Sequence, residues 1–291
     1  MDVTQTGSVR MVSSGVRRLT RIISVLALVV GPLLFLLPDR TDSLFAWTIN
    51  PPVTAAFLGG AYMTALTIEL LAARERIWAR ARVVYPGMIL FTTVTLIATL
   101  LHLDKFHFAA PGLFAKFTAW AWLIIYALAP PVMLALLVYQ LRAPGGDPAH
   151  RAPLPSWFRG VLVAQAVIMM GLGIALFLAP PTFAGLWPWA LTPLTARAVG
   201  AWLIGLGFAV AHAAWENDWE LIGIAMIGDI VAGGLQLLVL ARFAGTLQWA
   251  APNVWVYLVF LLAMVGIGAY GVYATRRFAV RAPQAPQAAG A

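Results

Sequence analysis

The sequence predicts an all-α integral membrane protein with eight transmembrane helices, arranged as two parallel repeats of four helices. The 291 residues are 62% hydrophobic and only 10% charged, whereas soluble domains carry about 25% charged residues. Apolar residues form long runs with charges at their ends, which is typical of membrane helices. The second half of the chain also repeats the first half, as shown below.

Composition excludes several classes of site and partner. There is no cysteine, so the chain has no disulfide framework, thiolate nucleophile or thiolate metal ligand. The net charge is +8, but the charges lie at helix ends, which argues for a lipid bilayer and against nucleic acid as the partner.

Eight apolar runs have the length of a transmembrane helix. The predicted helices cover residues 22–37, 52–72, 83–103, 117–141, 158–178, 193–215, 219–241 and 253–275. The first run follows three arginines, as a secretory signal does, but no small-residue cleavage site follows it and an equivalent helix recurs inside the chain. We therefore expect this helix to be retained.

The remaining segments separate and flank the two repeats. Residues 1–16 are predicted to be a disordered cytoplasmic tail, and the Ala/Pro/Gln-rich residues 278–291 a second one. The Pro- and Gly-rich residues 142–157 are predicted to be a flexible cytoplasmic linker. The four-helix repeats would then occupy residues 17–141 and 158–277.

The distribution of basic residues predicts the orientation. Of 19 Lys and Arg residues, all but five fall in the termini and the loops on the same side as the termini; the five others are Arg40, Lys105, Lys116, Arg197 and Arg242. Because cytoplasmic segments are enriched in basic residues, both termini are expected in the cytoplasm, with the protein in the cell membrane.

The duplication is visible as paired residues. A spacing of 142 residues relates Gly31 to Gly173 and Trp47 to Trp189, and a spacing of 141 relates Thr54 to Thr195, Gly59 to Gly200, Glu75 to Glu216 and Trp78 to Trp219. Since each half has an even number of helices, both halves insert in the same sense. Parallel repeats of this kind occur in transporters, although a repeat alone does not define a function.

One motif, Trp187-Pro-Trp-Ala-Leu-Thr-Pro-Leu-Thr-Ala-Arg197, lies between the fifth and sixth helices and has a weaker copy at residues 45–54. Trp187 and Trp189 are expected at the membrane interface. Pro193 suits the first turn of a helix, and Thr195 can bond free backbone groups there. A structural role is one interpretation, and lining the entrance to a site is the other.

This motif, with the Gly-Ala-Trp and Glu-x-Asp-Trp that follow, resembles multi-pass integral membrane proteins of unknown function from high-GC bacteria. The resemblance is sharpest over residues 187–219. It implies a membrane protein and no particular activity.

Acidic residues inside a bilayer are costly and often functional. Asp229 falls near the middle of the predicted seventh helix, with Gly233 and Gln236 on the same face. In the third helix, Thr92, Thr95 and Thr99 form a similar polar stripe. The two stripes could face each other or a shared cavity, which would make a substrate, ion or proton site; the alternative is a polar contact between helices.

Other polar residues have simpler interpretations. Glu69 is expected to reach the interface by snorkelling. His212 and Glu216 would form an interfacial pair or a proton relay, and Arg197 would snorkel or cap a cavity. His102, Asp104 and His107 lie close in sequence, but their spacing fits no known zinc pattern, and no metal or cofactor is expected.

The leading hypothesis is a small transporter- or permease-like protein for a solute or ion, with its site between the two repeats. The alternative is a non-catalytic scaffold, sensor or accessory subunit. A third hypothesis, an enzyme acting on lipid, needs polar side chains that converge at one depth. The sequence contains no Ser-His-Asp arrangement, phosphate-binding glycine loop or paired carboxylates, so it offers no catalytic residues.

Overall fold

The computed structural model describes residues 8–150 and 152–281, with the side chains of residues 278–281 left out. Eight long helices dominate this part of the chain. They are α1 (Ser14–Leu36), α2 (Pro52–Arg74), α3 (Tyr85–Leu100), α4 (Leu113–Leu141), α5 (Ser156–Leu178), α6 (Pro193–Glu216), α7 (Gly223–Arg242) and α8 (Pro252–Arg281).

Within the described residues, seven of these helices are long and apolar enough to cross a membrane. The exception is α3, whose 16 residues reach only about 24 Å at ~1.5 Å per residue. The outer helices also expose large apolar side chains, such as Val29 of α1, Phe117 of α4 and Val256 of α8. Such surfaces suit contact with lipid, and the protein is therefore a multi-pass helical membrane protein.

The helices pack in two rows. One row has the order α1, α2, α7, α8, and the other has the order α4, α3, α6, α5. The central helices α2 and α6 are the most buried, since 61% and 72% of their most apolar windows lie inside the protein, against 28% and 22% for α1 and α4. Each row therefore contains helices from both halves of the chain.

Glycines allow the closest helix contacts. A Cβ added to Gly59 would lie 2.3 Å from the backbone nitrogen of Phe35 in α1, and one added to Gly200 would lie 2.6 Å from the carbonyl oxygen of Gly173 in α5. Backbones can approach this closely only where side chains are absent. The predicted role of Gly59 and Gly200 in close helix approach is thus confirmed.

We use the name arginine end for the end of the bundle formed by residues 8–13, 75–84, 142–155 and 217–222, and motif end for the opposite end, formed by residues 37–51, 101–112, 179–192 and 243–251. The arginine end is tightly connected. Gln140 of α4 accepts a bond from the Ser13 amide at 2.7 Å and donates to the Met11 carbonyl at 2.9 Å. The amide of Gly146 bonds to the carbonyl of Ser8.

These contacts correct two expectations. Residues 8–13 of the predicted tail form an ordered extended segment, because their backbone pairs with the segments around Ile77 and Gly146. Ala152 and Leu154 of the predicted flexible linker are buried. At the other terminus, α8 continues to Arg281; residues 1–7 and 282–291 lie outside the described residues.

Several predicted helix limits also differ from the structure. The first helix begins at Ser14, so Arg17, Arg18 and Arg21 lie on its first turns, where long side chains can reach the interface. The third helix is shorter than predicted because a separate one-turn helix, Trp78–Ala81, precedes it. The fourth helix begins at Leu113 and continues through Pro130 and Pro131, where an interruption was predicted.

Candidate binding cavity

A cavity of about 140 Å³ lies between the two rows, at the end of each row where α1 faces α4. Its walls come from α1, α2, α3, α4 and α6, with Val84 at the start of α3. The half-exposed side chains Ile23, Leu26, Ile125 and Ala129 line its outer side. Since the outer faces of α1 and α4 are apolar and exposed, the cavity opens sideways toward the lipid.

Glu69 of α2 is the one acidic residue that lines this cavity, and none of the lining residues, all in the described part of the chain, is basic. Its side chain is only 4% exposed, and its Oε2 atom has no hydrogen-bond partner. The predicted snorkelling of Glu69 is therefore wrong. The reason is that α2 is a central helix that extends to Arg74, so position 69 faces the protein interior.

Aromatic rings form much of the inner wall. The hydroxyl groups of Tyr62 and Tyr126 are hydrogen-bonded at 2.6 Å. The rings of Phe91 and Trp202 lie 3.9 Å apart between centroids, and those of Tyr62 and Trp202 lie 4.9 Å apart. Contacts this short fix the rings in place, so the wall is a packed aromatic layer.

Behind that layer lies a second, smaller cavity of about 10 Å³, close to the volume that holds one water molecule. Thr95 and Thr99 of α3 line it, together with Trp47 and Phe106 of the motif end. Thr99 accepts a hydrogen bond from the indole of Trp122 at 3.0 Å.

The two cavities share one set of lining residues, which we call the aromatic layer: Tyr62, Phe91, Trp122 and Trp202. The layer therefore separates a lipid-facing cavity from a space that leads toward the motif end. Thr92 lines the larger cavity, and its hydroxyl bonds within α3 to the Met88 carbonyl.

Asp229 lies elsewhere. It is buried in α7, where Gln165 of α5 donates a hydrogen bond to its Oδ1 atom at 3.0 Å. Gly233 packs against Val265 and Leu261 of α8, and Gln236 donates to the Phe57 carbonyl of α2 at 3.0 Å. These three residues line neither of the two cavities.

The hypothesis that the two polar stripes share a cavity is thus not supported by their neighbours. Thr92 faces Met133 of α4, whereas Asp229 faces α5. The stripes diverge because α3 and α7 belong to different rows, and each packs against the outer helix that follows it in the chain.

At the motif end, Arg197 and His102 form a direct contact between the halves. The Arg197 guanidinium donates to Nε2 of His102 at 2.7 Å. Partial burial, together with the positive charge of Arg197, lowers the pKa of His102. His107 instead contacts Thr48 and the Phe45 carbonyl, and no group of three metal-ligating side chains forms among the described residues.

At the arginine end, His212 forms the predicted pair with Glu216, at 3.1 Å. Arg82 binds the same carboxylate and also Asp147. The hydrogen bond with Glu216 raises the pKa of Arg82 above its usual value. This network joins α3 to α6 and is distant in the fold from the aromatic layer.

The motif residues are structural. Trp187 and Trp189 are buried rather than interfacial, because their rings pack against Phe57 of α2 and Tyr257 of α8. Thr195 and Thr192 form a capping box at the start of α6, with Pro193 at its first position. The Trp189 indole donates to Thr54 at 2.9 Å, which connects the two copies of the motif.

Sequence reasoning missed Glu69, Tyr62 and Tyr126 as site residues. A signal was present for two of them, because Tyr62 and Glu69 are seven residues apart and therefore share one face of α2. The chain matches no family model, no curated protein and no solved structure, so the geometry of the cavity has to carry the functional argument.

Proposed function

We propose that this protein is a small transporter- or permease-like membrane protein that binds a small, largely apolar ligand in the cavity between α1 and α4. The carrying observation is an apolar cavity that opens to lipid and contains one buried carboxylate with an unpartnered oxygen. Binding sites are typically apolar spaces with a few polar groups that orient the ligand. A dry cavity of about 150 Å³ holds a benzene ring, which indicates the size of the ligand.

The smaller cavity supports a path rather than a closed pocket. It lies across the aromatic layer from the larger cavity and extends to Trp47 and Phe106 at the motif end. The contact between Phe91 and Trp202 would be the barrier that opens when a ligand passes. Lids and gates of this kind commonly control passage in membrane proteins and enzymes.

Because the chain lacks cysteine, one introduced thiol can test the cavity. Ala65→Cys places the thiol in the wall of the cavity, and Ala232→Cys places it at a buried site of α7 that lines neither cavity. In a bilayer, lipid-soluble N-ethylmaleimide should label Ala65→Cys and leave Ala232→Cys unlabelled. Equal protection of both thiols would refute the cavity and favour a scaffold role.

A second step tests the path. A water-soluble, impermeant maleimide added from the motif end should not reach Ala65→Cys in the otherwise unchanged protein. Replacing Phe91 or Trp202 by alanine removes the barrier and should make the thiol reactive. If both replacements leave it unreactive from that side, the larger cavity opens only to lipid and the path is wrong.

We further propose that the chain is a duplicated four-helix unit. Helices α1 and α5 have limits exactly matched by the spacing of 142 residues, and the 3₁₀ turns at Leu103–Lys105 and Ala244–Thr246 match a spacing of 141. The amides of Trp78 and Trp219 bond to the carbonyls of Arg10 and Ala152, which are paired by the same two spacings. Here α3 would be the shortened equivalent of α7.

The proposed orientation places the arginine end in the cytoplasm, as the basic residues predict. Gly146 at the arginine end and Gly245 at the motif end each have space for a side chain, so cysteine can replace either residue. In intact cells, an impermeant reagent should label Gly245→Cys only. Labelling of Gly146→Cys alone would reverse the orientation.

A further inference from the structure

The polar groups of the cavity favour a positively charged ligand. Glu69 is an acid without a basic neighbour in the lining, and its Oε2 atom has no partner in the protein. Its charge acts on the hydroxyl groups of Tyr62 and Tyr126, which are already bonded to each other. A buried carboxylate is costly unless a positive charge or a donor pairs with it.

The aromatic rings add a second preference of the same sign. Five rings line the cavity, those of Tyr62, Phe91, Trp122, Tyr126 and Trp202. The face of an aromatic ring carries partial negative charge and attracts organic cations, above all where water is excluded. The aliphatic side chains of α1 and α4 would surround the apolar part of such a ligand.

We infer that the cavity binds a small organic cation, an ammonium group carried on an apolar body of about one ring, with the charge placed between Glu69 and the aromatic faces. The inference rests on the proposed binding function and specifies the class of ligand. An anion would meet the Glu69 carboxylate without any basic residue to compensate. A purely apolar molecule would leave the carboxylate unpaired.

The test uses two ligands of equal shape. Phenyltrimethylammonium carries a permanent charge, and tert-butylbenzene is its neutral isostere. Each would be measured by its ability to protect Ala65→Cys from N-ethylmaleimide, in phosphatidylglycerol nanodiscs, whose lipid lacks an ammonium group. Glu69→Gln in the same background removes the charge and keeps the size and shape of the side chain.

Phenyltrimethylammonium should protect the thiol, and Glu69→Gln should weaken that protection at least about tenfold, the loss expected for one charge-assisted contact. tert-Butylbenzene should protect both proteins equally, which also shows that the Glu69→Gln cavity is intact. Repeating the titration in phosphatidylcholine identifies the source of the ammonium: competition by this lipid indicates a lipid headgroup, and unchanged protection indicates a free amine.

Two results would contradict the inference in different ways. If both ligands protect equally and Glu69→Gln changes neither titration, the cavity binds small apolar molecules and the preference for cations is wrong. If neither ligand protects a thiol that the reagent reaches, the proposed binding function fails with it.

Discussion

Asp229 and Gln165 form a buried polar pair in an otherwise apolar contact between α5 and α7. Gln165 donates to Oδ1 of Asp229, while Oδ2 of Asp229 and Oε1 of Gln165 are acceptors with no donor from the protein. Both would be satisfied if the side chain at position 229 could donate a hydrogen bond. A neutral acid or an amide does so, and an ionised carboxylate does not.

This pair gives the first prediction. Asp229→Asn keeps an acceptor for Gln165 and adds an N–H donor, so we expect it to unfold at the same temperature as the parent protein or higher. Asp229→Ala leaves Gln165 buried and unpaired, which should cost about 1–3 kcal/mol. Thermal unfolding in detergent would measure both variants, and equal losses for Asn and Ala would disprove the pairing.

The contact between His102 and Arg197 gives the second prediction, which concerns pH. His102 accepts the bond and must be neutral to do so, and burial and Arg197 lower its pKa; Asp104 and Lys105 nearby act in opposite directions. Because the folded state favours neutral His102, the contact stabilises the protein above the ordinary pKa of about 6.5 and is lost as the pH falls.

We therefore expect the difference in unfolding temperature between the parent protein and His102→Ala to be largest near pH 8 and to shrink below pH ~6. Arg197→Gln, which removes the charge beside His102, should make this difference depend less on pH. A difference that grows on acidification would mean that His102 binds as a cation and that the contact is assigned wrongly.

At the scale of single helices, the sequence predicts much of the structure, for local reasons. Apolar runs locate the eight helices, and Pro193 with Thr195 locates the start of α6, because capping depends on neighbours in the chain. The glycine pairs of α1 with α2 and of α5 with α6 are also visible. The face that each helix presents to the others is set by tertiary packing, which is why Glu69 was placed at the interface.

The glycine contacts give the third prediction. Gly59→Ala would force the Cβ atom against the backbone of α1 at Gly31 and Phe35, and backbone cannot move aside as a side chain can. We expect a loss of about 1–3 kcal/mol, typical of overpacking. Gly171→Ala in α5 is the matched control, because its Cβ atom meets nothing within 4 Å and alanine favours helix.

Thermal unfolding of both glycine variants in the same detergent would compare them directly. Gly200→Ala, at the corresponding contact of α5 with α6, should resemble Gly59→Ala, since its Cβ atom would meet the backbone of Gly173. Unchanged stability in Gly59→Ala would mean that α1 and α2 lie farther apart than described.

At the scale of the whole molecule, the two halves of the chain are interleaved. Helix α3 of the first half packs on α6 of the second, and α7 of the second half packs on α2 of the first. Gly87 of α3 lies so close to α6 that an added Cβ would be 2.6 Å from the carbonyl oxygen of Gly205. The sequence shows the duplication but not this exchange, because residue spacing does not reveal which half a helix packs against.

Interleaving also explains why the cavity has walls from both halves. Trp202, Gly205 and Leu206 of α6 complete a space otherwise formed by α1 to α4. The first half alone would lack the ring that packs on Phe91 and one side of the aromatic layer. Ligand binding therefore belongs to the assembled protein and not to one repeat.

This leads to the last prediction. If residues 1–150 and 151–291 are produced together as separate chains, we expect them to co-purify and to protect Ala65→Cys from water-soluble reagents as the intact protein does. Each half produced alone should aggregate or be degraded, because α3 or α7 would lose its main packing partner. Gly87→Leu would block the contact of α3 with α6 and should prevent co-purification, whereas Gly112→Leu, in a loop with free space around it, should not. Stable, separately folded halves would show that the rows described here exchange no helices, and that the cavity is built without α6.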